Sequence, residues 1–127
     1  MPHRCVLVRL FVFGALVALA ACGSQAATGD LDKLQVTFSQ FAITVTNNSG
    51  QVLTDVVAEI NPTAPATPFR TRPDRLGAGE TRTLAHTAFM DRDSVPFSPR
   101  TAKGRKVIVT AKGADGKELR VELPFKL

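Results

Sequence analysis

The chain has 127 residues, of which 44% are hydrophobic and 21% are charged, and it contains no Trp and no Tyr. This length allows one domain of ordinary globular composition. Trp and Tyr are common in stacking sites because they join a large apolar face to a polar tip. Their absence, together with a net charge of only +5, argues against a nucleic-acid-binding protein.

The first 21 residues have the layout of a secretory signal peptide. Arg4 and Arg9 lie in a short basic start, and residues 10–20, LFVFGALVALA, form an uninterrupted apolar run. This run is shorter than the roughly 20 residues of a typical membrane-spanning helix. Small residues follow it, as they do at a cleavage site. We therefore expect residues 1–21 to be a signal peptide helix that is removed.

The end of this segment, Leu19-Ala20-Ala21-Cys22, resembles the lipobox of bacterial lipoproteins. The resemblance implies that a type II signal peptidase cuts between Ala21 and Cys22. It also implies that the Cys22 thiol carries diacylglycerol and that the new amino terminus is acylated. Two or more acyl chains anchor a protein stably to a membrane. Gly23, in place of Asp, resembles the lipoproteins that Gram-negative bacteria pass to the outer membrane, where the domain would face the periplasm.

Lipidation of Cys22 leaves no free thiol, because the only other cysteine, Cys5, lies in the signal peptide. Disulfides, zinc–cysteine sites and cysteine nucleophiles are therefore excluded from the mature chain. Removing Arg4 and Arg9 from the 16 basic residues leaves 14 basic against 11 acidic residues, a net charge of +3. The mature chain thus has only a mild excess of positive charge.

Residues 22–30 are small, polar and without pattern, which predicts a flexible tether between lipid and domain. The folded domain is then expected over residues 31–127. Its sequence alternates apolar and polar residues, as strands with one buried face do. The alternating segments are LQVTFSQ (34–40), FAITVTN (41–47), QVLTDVVAEI (51–60), KVIVTAK (106–112) and KELRVELPF (117–125).

Turn signals separate several of these strands. NNSG at 47–50 and ADG at 114–116 are residue types that tolerate tight turns. Residues 61–73 contain four of the eight prolines, which predicts a loop or an edge strand because proline lacks a ladder donor. A short strand is expected at 81–85, and Phe89 and Phe97 are expected to enter the core from a loop. The pattern predicts an all-β, immunoglobulin-like antiparallel sandwich of about seven strands.

The run ITVTNNSGQVLTDVVAEI, followed by LGAGET before the next strand, resembles small immunoglobulin-like domains of bacterial surface and periplasmic proteins. Domains of the FxLYD type share this rhythm, although the F-x-L-Y-D signature itself is absent here. The resemblance implies a fold and transfers no active residue.

One loop contains residue types that bind metals. His86 and Met90 are ligands that suit copper, and Asp91 and Asp93 supply alternating carboxylates with which a calcium site can begin. The alternative interpretation is a turn capped by aspartate side chains. Ser94, His86 and Asp91 also supply the types of a catalytic triad, but neither a nucleophile elbow nor a Gly-rich oxyanion loop accompanies them. We expect no cofactor and no enzymatic activity.

Two basic clusters complete the candidate sites. They comprise Arg70, Arg72 and Arg75, and then Arg100, Lys103, Arg105 and Lys106. They are interpreted either as solvated loops and strand edges or as contacts to an anionic surface. The sequence thus predicts a non-enzymatic, lipid-anchored envelope protein that acts as a structural or interaction module for an unidentified protein or envelope component. The alternative is a periplasmic protein that binds a metal or another ligand through residues 86–93.

Overall fold

A computed structural model describes residues 27–62 and 67–127 of the chain, and these residues form a β-sandwich. One sheet has five strands and the other has three, and all pairings are antiparallel. The predicted all-β antiparallel sandwich is therefore confirmed. The predicted signal peptide, its cleavage site and Cys22 lie outside the described residues.

The described residues contain eight strands, where about seven were predicted. They are β1 (Thr28–Gly29), β2 (Leu34–Phe38), β3 (Ala42–Asn47), β4 (Leu53–Pro62), β5 (Phe69–Leu76), β6 (Thr81–Ala85), β7 (Gly104–Lys112) and β8 (Glu118–Pro124). A short 3₁₀ turn, His86–Ala88, follows β6. The proline-rich region ends in β5, which lies at the edge of its sheet and contains Pro73. An edge position tolerates this proline because no further strand needs its missing N–H.

The strand order is β1-β8-β7-β4-β5 in the larger sheet and β2-β3-β6 in the smaller. The chain therefore crosses between sheets after β1, β3, β5 and β6. These crossings place the buried faces of both sheets against each other, as in other β-sandwiches. Strand β7 illustrates the alternation: Val107, Val109 and Ala111 are buried, whereas the residues between them are partly exposed.

Eighteen residues form one core between the sheets. They are Leu34, Val36, Ile43, Val45, Leu53, Val56, Ala58, Ile60, Phe69, Leu76, Leu84, Phe89, Phe97, Val107, Val109, Ala111, Leu119 and Val121. Phe89 and Phe97 are buried, as predicted from the sequence.

Phe41 is a correction to the predicted core. The alternation of FAITVTN placed it on the same face as Ile43 and Val45, but its side chain is 77% exposed. The reason is a tight turn before β3, in which the Ser39 hydroxyl accepts a hydrogen bond from the Ala42 backbone N–H at 3.1 Å. Phe41 lies within this turn, where strand alternation does not yet apply.

The amino-terminal boundary of the domain also differs from the prediction. Thr28 and Gly29 pair with Glu122 and Val121 of β8, and a carboxylate oxygen of Asp30 accepts a hydrogen bond from the Arg120 backbone N–H at 3.0 Å. Residues 28–30, which were expected in the flexible tether, are thus held to β8 as part of the sandwich.

The two ends of the sandwich have different connections. We call one the loop end: it contains residues 39–41, residues 86–103 and the carboxyl-terminal residues 125–127. The other, the turn end, contains the short connections at 48–52, 77–80 and 113–117, together with residues 30–33. No helix in the described part of the chain is long and apolar enough to cross a membrane.

Candidate functional site

Most of the residues singled out from the sequence lie at the loop end. The 3₁₀ turn places His86 there, and the bridge between Arg70 and Met90 ties the start of β5 to the following loop. The loop then returns through the bridge between Met90 and Pro96. Arg75 is an exception, because it pairs with Thr54 near the turn end.

His86 is nearly completely buried, with 4% of its surface exposed. Its ring packs against Phe97 and Phe125, with ring centroids 5.8 and 5.9 Å away. Nε2 has no hydrogen-bond partner among the described residues. Burial lowers the pKa of His86 below its ordinary value of 6.5, since the charged imidazolium loses more hydration than the neutral ring. Burial therefore favours the neutral form of the His86 ring.

The ring of His86 belongs to an aromatic cluster at this end of the core. Phe97 makes edge contacts with Phe69 at 5.3 Å and with Phe125 at 5.6 Å between ring centroids. Phe125 makes a further edge contact with Phe38 at 5.7 Å. Such edge-to-face pairs contribute about 0.5–1.5 kcal/mol each beyond the burial of area. The cluster fixes the 97–103 loop and the carboxyl terminus against both sheets.

A cavity of about 480 Å³ opens beside His86. Its walls include the apolar side chains of Phe41 and Phe97, and Arg100 stands among its lining residues. A second cavity of about 210 Å³ shares Pro99 with it and is lined by Lys103 and Leu127. The larger volume falls within the range of small-molecule sites.

The structure gives the predicted metal ligands other roles. The Asp91 carboxylate accepts hydrogen bonds from the backbone N–H groups of Asp93 and Val95, each at 2.9 Å, which is the capped turn of the alternative interpretation. Met90 pairs through its backbone with Arg70. Within residues 27–62 and 67–127, no group of three or more His, Cys, Asp or Glu side chains is arranged to hold a metal ion.

Ser94, His86 and Asp91, which supply the residue types of a catalytic triad, are not assembled as one. The backbone N–H of Ser94 donates to the Asp91 carbonyl at 3.1 Å, so these two residues close the same loop turn. The ring of His86 lies among aromatic rings, and its Nε2 makes no hydrogen bond to any residue of 27–62 or 67–127. A nucleophile and a base that act together require a hydrogen bond between their side chains, and His86 makes none with Ser94.

The basic residues divide into paired and unpaired groups. Arg70 Nε contacts a carboxylate oxygen of Glu59 at 2.8 Å, and Lys106 Nζ contacts Glu122 at 3.0 Å. The hydrogen bond from Lys106 lowers the pKa of Glu122 below its ordinary value. Both pairs lie on the outer face of the five-stranded sheet, and in each pair the carboxylate neutralises the charge of the basic residue. Arg100 and Arg105 have no carboxylate partner among the described residues.

Several exposed residues at the loop end were not singled out from the sequence. Arg92, Lys126, Val95 and Leu127 are exposed there, and the exposed Phe41 joins them. They come from three separate segments, at residue 41, residues 92–95 and residues 126–127, so no single local pattern groups them. Only the carboxyl-terminal sequence FKL, with a cation between apolar residues, carried a local signal.

No protein-family model matches the chain, and a search of curated proteins finds no match. The case for a function therefore rests on the residues of this chain, on their chemistry and on their placement. Three features carry it: the motif before Cys22, the position at which the chain joins the sandwich, and the composition of the loop end.

Proposed function

We propose that this chain is a lipid-anchored, non-enzymatic protein of the bacterial cell envelope. The observation that carries the proposal is the sequence Leu19-Ala20-Ala21-Cys22 after a basic start and an apolar run of 11 residues. This order of features is typical of a signal peptide that ends at a lipidated cysteine. In the mature protein Cys22 is the first residue, and its acyl chains hold the domain at the membrane.

The domain behind the anchor serves as a structural or interaction module with an immunoglobulin-like arrangement of strands. Its partner is a protein or another component of the envelope. Strands β2 and β6 border the three-stranded sheet, and an edge strand offers backbone groups to which an extended peptide can add. Edge strand β5 is a poorer acceptor, because Pro73 lacks an N–H and Asp74 has a positive φ of 66°.

The substitution Cys22→Ser tests the anchor. In cells fed with labelled palmitate, we expect the variant to lose the label and to accumulate as precursor or to leave the membrane fraction. Cys5→Ser is the matched control, because it removes the other thiol of the chain and leaves the motif intact. If Cys22→Ser retains the label, or if Cys5→Ser loses it, the proposed anchor is wrong.

A second candidate is a ligand-binding protein, favoured by the 480 Å³ cavity beside His86, whose Nε2 has no hydrogen-bond partner in the described part of the chain. The ions to titrate are calcium and copper, because residues 86–93 contain side chains of the types that bind each of them. An interaction module is expected to show an unchanged melting temperature when either ion is saturating. A rise in melting temperature that Asp91→Asn abolishes for calcium, or that His86→Phe abolishes for copper, favours the second candidate instead.

A further inference from the structure

The two ends of the sandwich differ in charge. Exposed cations at the loop end are Arg92, Arg100, Lys103, Arg105 and Lys126, and the acidic residues of its loops are Asp91 and Asp93. The turn end and the strand termini next to it carry seven acidic residues, Asp30, Asp32, Asp55, Asp74, Glu80, Asp115 and Glu118, against five basic ones, Lys33, Arg75, Arg82, Lys112 and Lys117. The loop end therefore has an excess of positive charge, whereas the turn end is close to neutral with a slight excess of negative charge.

Four of these five loop-end cations are available to an outside anion. Within the described residues no salt bridge joins Arg92, Arg100, Arg105 or Lys126 to a carboxylate. The local Asp91 carboxylate is occupied by two backbone N–H groups. By contrast, Lys112 at the turn end of β7 faces Asp55 at 3.8 Å.

Exposed apolar side chains are concentrated at the same end. Phe41, Leu127, Val95 and Met90 are 77%, 66%, 52% and 42% exposed, whereas the turn end exposes Leu31 at 39%. Phe41 and Arg100 line the larger cavity, Leu127 lines the smaller one, and the two cavities share Pro99. Phe41, Arg100 and Leu127 therefore line two adjoining cavities at this end.

Strand β1 is oriented with its first residue, Thr28, nearer the loop end than Gly29. Strand β1 runs antiparallel to β8, with Thr28 opposite Glu122, two residues from the loop-end terminus of β8. At about 3.3 Å per residue, that terminus is about 7 Å away. Cys22 precedes Ala27 by five residues, which cover at most about 18 Å even when fully extended. A lipid on Cys22 therefore lies within short reach of the loop end.

We propose that the loop end is a membrane-docking surface for anionic phospholipid headgroups, with Phe41 and Leu127 entering the interface beside Arg100 and Lys126. This inference rests on the proposed lipid anchor, which brings the surface to the bilayer. Cations near an anionic bilayer each strengthen binding about fivefold, and exposed apolar groups next to them add contact with the acyl boundary. The domain stands on its loop end and presents its turn end to the periplasm.

The test recreates the anchor chemically. Residues 22–127 contain one thiol, that of Cys22, and this thiol is coupled to a maleimide lipid in vesicles. Vesicles of phosphatidylcholine with phosphatidylglycerol are compared with vesicles of phosphatidylcholine alone. Amide hydrogen exchange is expected to slow at residues 86–103 and 125–127 on the anionic vesicles, and to stay unchanged at 48–52, 77–80 and 113–117.

Matched variants distinguish the effect of the loop-end surface on docking from the effect of the net charge of the domain. Arg100→Gln combined with Lys126→Gln removes two loop-end cations and is expected to weaken docking about 25-fold. Lys33→Gln combined with Lys117→Gln removes the same charge from the turn end and is expected to change docking less than threefold. Equal losses in the two variants, equal protection at both ends, or equal protection on neutral vesicles would overturn the inference. Failure of palmitate labelling would instead overturn the anchor, because the chemical coupling does not depend on it.

Discussion

Asn47 ties the two sheets together at the turn end. It is the last residue of β3, and it is completely buried. Its side-chain N–H groups donate to the carbonyl oxygens of Gln51, Leu76 and Gly77 at 2.7, 3.1 and 2.9 Å. Its side-chain oxygen, Oδ1, accepts hydrogen bonds from the backbone N–H and the hydroxyl of Ser49 at 3.0 and 2.6 Å. One side chain therefore satisfies the turn after β3 and the turn after β5.

The cost of Asn47→Ala follows from these bonds. The amide has two hydrogens for three acceptors, so about four full hydrogen bonds are lost, each with a net contribution of about 0.5–1.5 kcal/mol. Water replaces the bonds that lie near the surface, but the Leu76 carbonyl is buried with its partner. We expect the free energy of unfolding to fall by about 3 kcal/mol. For a domain of this size, that loss lowers the melting temperature by about 15 °C.

Urea unfolding followed by circular dichroism measures this loss. Asn48→Ala is the matched control, because Asn48 is exposed and makes one long side-chain contact, 3.5 Å from Gln35; we expect a change below about 0.5 kcal/mol. Asn47→Asp is expected to be at least as harmful as Asn47→Ala at neutral pH, because a carboxylate oxygen then faces the carbonyls of Leu76 and Gly77. A loss below about 1 kcal/mol in Asn47→Ala, or equal losses in both alanine variants, would refute the reasoning.

Two further predictions concern His86 and Gly29. Burial lowers the pKa of His86, so the unfolded chain binds the proton first as the pH falls. The free energy of unfolding should therefore decline below about pH 6.5, and His86→Phe should reduce this decline in urea titrations at pH 7 and pH 5; an unchanged slope would contradict the buried neutral ring. Gly29 has a φ of 100°, and a Cβ there would lie 2.0 Å from the Arg120 carbonyl oxygen. Gly29→Ala should detach β1 and accelerate amide exchange at the β8 edge, whereas Gly79→Ala, with a φ of 74° and open space around it, should leave that edge protected.

Sequence alternation located most of the strands because one face of each is buried against the other sheet. The apolar residues of LQVTF, KVIVTA and KELRV repeat every second position, and the structure places β2, β7 and β8 there. Phe89 and Phe97 were placed in the core by a different local signal, as large apolar residues in an otherwise polar loop. The motif before Cys22 is likewise a contiguous pattern, so the proposed anchor needs no tertiary information.

Local alternation was not sufficient where a distant contact decides the outcome. Thr28 and Gly29 carry no strand pattern, and they form β1 because β8 offers an edge more than 90 positions further along the chain. Phe41 is two positions from Ile43, as a residue on the same face of a strand would be, and yet it is exposed. The reason is that Phe41 lies in the turn at Ser39, and β3 begins only at Ala42. Asn47 reads as an ordinary turn residue, and its burial depends on the carbonyls of Leu76 and Gly77.

The candidate site shows the same division. The sequence by itself determined which residues carry charge and that Cys22 lies in a lipobox-like motif. It also determined that apolar and polar residues alternate along the domain, as they do in the strands of a β-sandwich. Only the tertiary structure decided that Arg70 and Lys106 are neutralised by Glu59 and Glu122, and that Phe41, Arg100 and Leu127 meet around one end. The physical reason is that charge and apolarity are properties of single residues, whereas a surface forms only when sheet pairing brings separate turns together.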